Sequence, residues 1–147
     1  MSLIDILPRE RTALLDVADG DALLEAVAGL ISPLPTEQTE IAASLRQRER
    51  LGRTAIGHGV ALPHGRNGVF AEARGAFVRL ARPVDYGALD GEPVDLVFAL
   101  SVPSGFTHQH LQLLAGIAER LADTALRDAL RAAPDAATLH ARLTGHG

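Results

Sequence analysis

The stretch Val94-Asp95-Leu96-Val97-Phe98-Ala99-Leu100-Ser101-Val102 (VDLVFALSV) decides the fold. It is an almost unbroken apolar run, rich in β-branched and aromatic residues, and reads as a strand. Apolar side chains at successive positions point to opposite faces, so both faces need cover. Such a strand belongs at the centre of a sheet with a helical layer on each side.

Around it the pattern is consistent. Residues 75–84 (GAFVRLARPV) alternate, with Ala76, Val78 and Leu80 on one face and Arg79 on the other, which predicts a strand with one wetter face. Asp90-Gly91 marks the turn between the two. Residues 60–62 form a short buried strand, and 11–17 (RTALLDV) a further one. Helical spacing appears at Leu23, Val27, Leu30 and Ile31, ended by Ser32-Pro33. A second helix follows, with Thr36 as N-cap, Ile41 and Leu45 inward, an end near residue 51 and Gly52 just beyond. Residues 110–123 make a third, with Leu111, Leu114, Ala118 and Leu121 on its buried stripe. Asp123-Thr124 and Pro134-Asp135 open two shorter ones. The expected fold is α/β: a three-layer single domain over residues 1–147, with a mixed β-sheet flanked by helices on both faces.

Composition narrows the chemistry. Hydrophobic residues make up 47% of the 147, enough for a sizeable core, but aromatics only 3%, so that core is aliphatic. There is no cysteine, which removes disulfides, thiolate nucleophiles and Cys-based zinc sites. All 14 basic residues are arginine, which removes lysine Schiff bases and phosphate-binding lysines. A formal net charge of -4 argues against nucleic acid as a partner. No basic n-region opens the chain and no run approaches the ~20 apolar residues that cross a bilayer, so no membrane insertion is expected and the cytoplasm is the default.

One stretch invites chemistry: Gly57-His58-Gly59-Val60-Ala61-Leu62-Pro63-His64-Gly65-Arg66. Pro63 stiffens the end of the short strand and holds Leu62 extended. His64 then stands just past the strand, and Gly65 clears room at its ring and lets the chain turn. A neutral imidazole there is a base, a nucleophile, a metal ligand or simply a hydrogen-bonded turn residue. A base lacks an evident nucleophile to serve, since there is no cysteine and no Gly-x-Ser-x-Gly elbow. A metal needs companions, for which His58, His108 and His110 are available but no carboxylate is near in sequence.

The longer block Arg48-Glu49-Arg50-Leu51-Gly52-Arg53-Thr54-Ala55-Ile56-Gly57, continuing through Pro63-His64-Gly65, resembles the fructose/mannitol-type enzyme IIA domains of the bacterial phosphotransferase system, most nearly the nitrogen-regulatory branch. Asp90-Gly91-Glu92-Pro93-Val94-Asp95-Leu96 and His110-Leu111 opening a Leu-rich helix extend the likeness over roughly residues 3–143 in one register. The resemblance implies that His64 is a phosphoryl acceptor, that Arg48 is the active-site arginine, and that His110 is the second active-site histidine. It implies an HPr- or NPr-type phosphocarrier protein as donor, and regulated partners such as sensor kinases or transporters. No cofactor and no metal are implied. Val60, Leu62 and Phe106 are expected near a protein-docking rim, while Arg46, Arg50, His58, His140 and His146 read as surface residues and Tyr86 as cover for the core edge. Asp19-Gly20-Asp21 stands where the branch often has Ser-Lys-Lys. Two other functions stay open: a sugar-specific IIA that feeds a membrane permease, and a binding module whose His64 is never phosphorylated.

Overall fold

The run that opened the sequence analysis is β6 (Val94–Pro103), and it is the centre of the sheet in the computed structural model, which describes residues 3–105 and 107–145. Antiparallel to it on one side lies β5 (Arg74–Val84), and parallel to β5 on the outside lies β1 (Thr12–Leu15). On the other side β6 carries two short parallel strands in succession, β3 (Val60–Ala61) and β4 (His64–Asn67). Beyond β3 an antiparallel β2 (Ala55–Gly57) forms the edge. The sheet is therefore mixed, as expected, but it has six strands where the sequence suggested four; β2 and β4 are the additions.

Helices cover both faces. One layer holds α2 (Gly20–Ile31) and α3 (Pro35–Leu51). Their Leu23, Val27, Ile41 and Leu45 are buried with Ala76, Val78, Val97 and Ala99 of the sheet. The other holds α4 (His108–Leu121), α5 (Thr124–Ala132) and α6 (Ala136–Thr144), with the short α1 (Leu3–Ile6) beside them. There Ile117, Leu121, Leu130 and Leu139 meet Phe77, Leu96, Phe98 and Leu100. Alternate residues of β6 thus serve opposite cores, which is why the run is apolar throughout.

Several expectations need correction. The second face of β5 is not wet. Phe77 is fully buried there, and Arg79 donates to the carbonyls of Leu130 and Ala133 at 2.8 and 2.7 Å, capping the end of α5. Thr36 lies inside the first turn of α3, whose N-cap is Leu34 with Pro35 at the first position. Ser32 serves that turn instead: its hydroxyl accepts from Leu34 N–H at 3.2 Å and donates to Glu37 at 2.6 Å. Helix α4 begins two residues earlier than expected, buries His110, Ile117 and Leu121, and turns Leu111 outward.

The most consequential correction concerns Pro63. The strand does not end before it. Val60 pairs with Leu96, Ala61 with Val97 and His64 with Leu100, a constant offset, so β3 and β4 are one line in a single register. Pro63 lacks an N–H and interrupts the ladder, but its carbonyl still accepts from Leu100 N–H at 2.9 Å. His64 is therefore the first residue of a sheet strand rather than part of a loop.

Candidate functional site

Helix α3 runs across β4, and the two approach closely because residue 65 is glycine. A β-carbon there would lie 2.6 Å from Ser44 Oγ. Gly65 is thus a close-packing residue, and the sharp turn expected of it lies elsewhere. The turn is at Gly57, His58 and Gly59, all with positive φ (95°, 58° and 78°), where β2 doubles back into β3. Asp90 accepts from His58 N–H and Arg131 donates to the His58 carbonyl, holding that turn from both sides.

Where α3 ends over β4 there is a groove of about 570 Å³, lined by Ser44, Gln47, Arg48, Leu51, His64, Gly65, Arg66 and Leu111. His64 is half-buried in it. Its Nδ1 is 2.8 Å from the carbonyl of Leu62. A carbonyl only accepts, so Nδ1 carries the proton and Nε2 keeps its lone pair. Burial is the main cause that pushes the His64 pKa down, and the Arg48 charge adds to it, against the Leu62 carbonyl and the Glu49 charge. Burial thus favours the uncharged ring, and the Leu62 bond leaves the lone pair on Nε2.

Arg48 sits in the last turn of α3, half-buried, with Nη1 donating to the Gly52 carbonyl at 2.8 Å. The structure brings Arg48 and His64 into one groove. Arg46 is occupied on the other side of α3 by Asp21 and Glu25, and Arg50 is exposed. His110 is buried at the start of α4, where its Nδ1 accepts from the Thr107 N–H at 3.0 Å. It completes the capping box of its own helix, with Nδ1 as the accepting nitrogen. The neighbouring Leu111, not His110, lines the groove.

Sequence reasoning missed Leu51, Arg66 and Leu111 at the groove. Leu51 is 82% exposed and Leu111 54%. Their signal was a large apolar residue on the polar side of a helix end. Val60 and Leu62, expected at the rim, are buried, and Phe106 and His146 lie outside the described residues. His58 and His108 are exposed; His140 is half-buried and its Nε2 bonds the Leu7 carbonyl at 2.7 Å, tying α6 to the chain start. Tyr86 belongs to the α2–α3 core. Among the described residues no group of three His, Asp or Glu gathers as a metal site, and no helix is long and apolar enough to cross a membrane.

The family described as "Phosphoenolpyruvate-dependent sugar phosphotransferase system, EIIA 2" matches residues 6–145. The chain belongs to that family. Within it, this EIIA 2 chain is similar to nitrogen regulatory proteins. The one from Pseudomonas aeruginosa is 43% identical over 120 residues, covering 80% of this chain and 78% of that one. The one from Bradyrhizobium diazoefficiens is 48% identical over 99 residues, covering 67% of this chain and 65% of that one. The crystal structure of nitrogen regulatory protein IIA-Ntr from Neisseria meningitidis superposes with a TM-score of 0.89 at 36% identity, covering 97% of this chain and all of that one. These likenesses place the EIIA 2 chain on the nitrogen-regulatory branch, although Asp19-Gly20-Asp21 departs from that branch's usual step. Here Asp19 is the N-cap of α2, accepting from Ala22 N–H at 2.8 Å.

Proposed function

We propose that this EIIA 2 chain is a regulatory phosphocarrier of the cytoplasm, and that His64 accepts the phosphoryl group at Nε2. The donor is an HPr- or NPr-type phosphohistidine protein. In the step, the Nε2 lone pair of His64 forms the new N–P bond as the donor's N–P bond breaks, and that electron pair returns to the donor imidazole. The proton on Nδ1 stays where it is, bonded to Leu62.

The observation that carries this reading is the pinned tautomer: Nδ1 is committed to a carbonyl at 2.8 Å, and Nε2 is left as the reactive atom in a groove shared with Arg48. Phosphoryl transfer demands little of the protein beyond position and positive charge around the equatorial oxygens. Arg48 supplies a guanidinium fork for that role. We assign His110 a supporting part from behind that groove, where it caps the first turn of α4 that carries Leu111 to the rim. A phosphorylated ring carries about -1.5 to -2 charges, a large local change beside Leu51 and Leu111. Partners such as sensor kinases or transporters read that change.

The test is incubation with phosphoenolpyruvate, the general phosphotransferase enzyme and an HPr-type carrier. Acid-labile label is expected on the wild type and none on His64→Ala. Label that persists on His64→Ala would overturn the assignment, and a folded wild type that never takes label would leave a plain binding module.

A further inference from the structure

We propose that Glu49 is a positioning residue of the phosphoryl site, acting through Thr54 and Leu62 on the ring of His64. The proposal rests on the reading of His64 as the acceptor.

Glu49 follows Arg48 in the last turn of α3, among charged neighbours that face solvent, yet it is 8% exposed. Its carboxylate is not simply neutralised by an ion pair, because the nearest cation, Arg53, is 4.0 Å away and itself exposed. Both oxygens go instead to Thr54, which is also buried. Thr54 Oγ1 donates to Glu49 Oε1 in a short bond, and Thr54 N–H donates to Oε2 at 3.2 Å. Hydrogen bonds to an ionised carboxylate are the strong kind, about twice a neutral pair.

The chain of contacts continues past Thr54. Its carbonyl accepts from the Leu62 N–H at 3.0 Å. The Leu62 carbonyl in turn accepts from His64 Nδ1 at 2.8 Å. Four residues thus connect the end of α3 to the reactive ring, without a gap. The connection is geometric. At each residue the N–H and the C=O belong to adjacent peptide planes, so what is transmitted is the position of those planes. Pro63 sets the last plane, since it holds Leu62 extended and aims its carbonyl.

The arrangement has a chemical consequence. An imidazole free in water is not confined to one tautomer, and the Nε2–H form carries its lone pair on Nδ1, against the Leu62 carbonyl, with none on Nε2 to accept a phosphoryl group. Only the Leu62 carbonyl keeps the proton on Nδ1, and that carbonyl is where Glu49 and Thr54 hold it. Tyr86 and Arg53 are the other titratable groups that act on Glu49's surroundings, and the Tyr86 phenol is pushed up by burial and then by the Glu49 charge.

The test uses the full chain as Glu49→Gln, Thr54→Val and Thr54→Ser. Two quantities are read: the ¹⁵N shifts of the two His64 ring nitrogens, which report the tautomer, and the rate of transfer from a phosphorylated HPr-type carrier. Glu49→Gln and Thr54→Val are expected to populate the Nε2–H form and to slow transfer roughly tenfold in kcat rather than KM. Thr54→Ser, which keeps the hydroxyl, is expected to restore both. A folded Glu49→Gln with the wild-type tautomer and a rate within about twofold of wild type would overturn the proposal. If Glu49→Gln does not fold, wild-type behaviour in Thr54→Val overturns it instead. The ring shifts are read without any phosphoryl donor, so failure of the relay is distinct from failure of His64 as acceptor, which shows as label on His64→Ala.

Discussion

Gly65 and Ser44 stand so close that a β-carbon on residue 65 would be 2.6 Å from the Ser44 hydroxyl and 2.7 Å from its carbonyl carbon and oxygen. Backbone cannot yield as a side-chain tip can. Gly65→Ala is therefore expected to push α3 off β4 and cost about 1–3 kcal/mol, the usual penalty for overpacking. Because α3 carries Arg48 and β4 carries His64, transfer should slow as well. Denaturant unfolding and a transfer assay on the same sample check both, and an unchanged midpoint would show that the two elements are not packed this tightly.

The sequence made the fold legible where a pattern persists for several residues. The run in β6 named the central strand, and the spacing of Leu23, Val27 and Ile31 named α2. Asp123 and Asp135 announced the starts of α5 and α6, because a capping carboxylate is a local feature. Legibility ended where the deciding contact is tertiary. Strand β4 was missed because His-Gly-Arg-Asn has no apolar alternation; its place comes from the register it shares with β3 across Pro63. Glu49 looked like one more charge in Arg-Gln-Arg-Glu-Arg, and only the return of Thr54 over the helix end shows it buried. For the candidate site, His64 and Arg48 were named from the order of motifs, and the structure puts both in one groove. His110 was named the same way, but its bond to Thr107 depends on a helix start two residues earlier than the Leu pattern suggested.

The pKa of His64 lies below the ordinary imidazole value of about 6.5. A depressed folded value means that the unfolded chain binds the proton more readily. Stability is then full above about 6.5 and falls as pH drops toward the folded value, below which the loss is complete. Transfer should persist through that range and fade only as pH reaches and passes below the folded value, since a protonated ring has no lone pair. The neighbours give opposite signs: Arg48→Ala should raise the His64 pKa, and Glu49→Gln should lower it further. An NMR titration of the His64 ring reads all three, and a wild-type value above 6.5 would contradict the burial seen here.

Arg48→Ala is expected to leave the chain folded and to slow phosphoryl transfer by about 10² or more, as when a donor to developing charge is lost. The fold should survive because Arg48 meets the rest of the protein chiefly at the helix end, through one bond to the Gly52 carbonyl. Loss of that bond costs about 1 kcal/mol. Arg48→Lys separates charge from shape: it keeps the cation but has no fork, so it should recover only part of the rate. Single-turnover transfer measured alongside thermal unfolding checks the prediction, and an unaltered rate in Arg48→Ala would remove Arg48 from the site.

Asn67 fills both of its hydrogen-bonding roles inside the protein. Its amide donates to Ser101 Oγ at 2.9 Å and its oxygen accepts from Val69 N–H at 3.0 Å. It stands on the face of β4 that meets Ser44 and is 7% exposed. Asn67→Ala would strand those partners, and a loss of about 1–3 kcal/mol is expected in chemical unfolding. Asn67→Asp should be worse at neutral pH, because it exchanges a donor for a charge at a buried position.

Leu51 and Leu111 are large apolar side chains left in water on either side of the groove that holds His64. One ends α3 and the other begins α4, so no single helix pattern accounts for both. A protein donor must bring its own phosphohistidine within bonding distance of Nε2, and in doing so it covers this rim. Apolar anchors at the centre of such a contact carry much of its energy. Leu51→Asp and Leu111→Asp are therefore expected to raise KM for the phosphorylated carrier about tenfold each, roughly 1.4 kcal/mol, with kcat little changed. The control is Leu34→Asp. Leu34 is 53% exposed but precedes the far end of α3, about 25 Å from Leu51 at 1.5 Å per residue. If all three substitutions act alike, the effect is general charge or instability; if only the groove pair acts, the carrier docks where the structure leaves these two leucines bare.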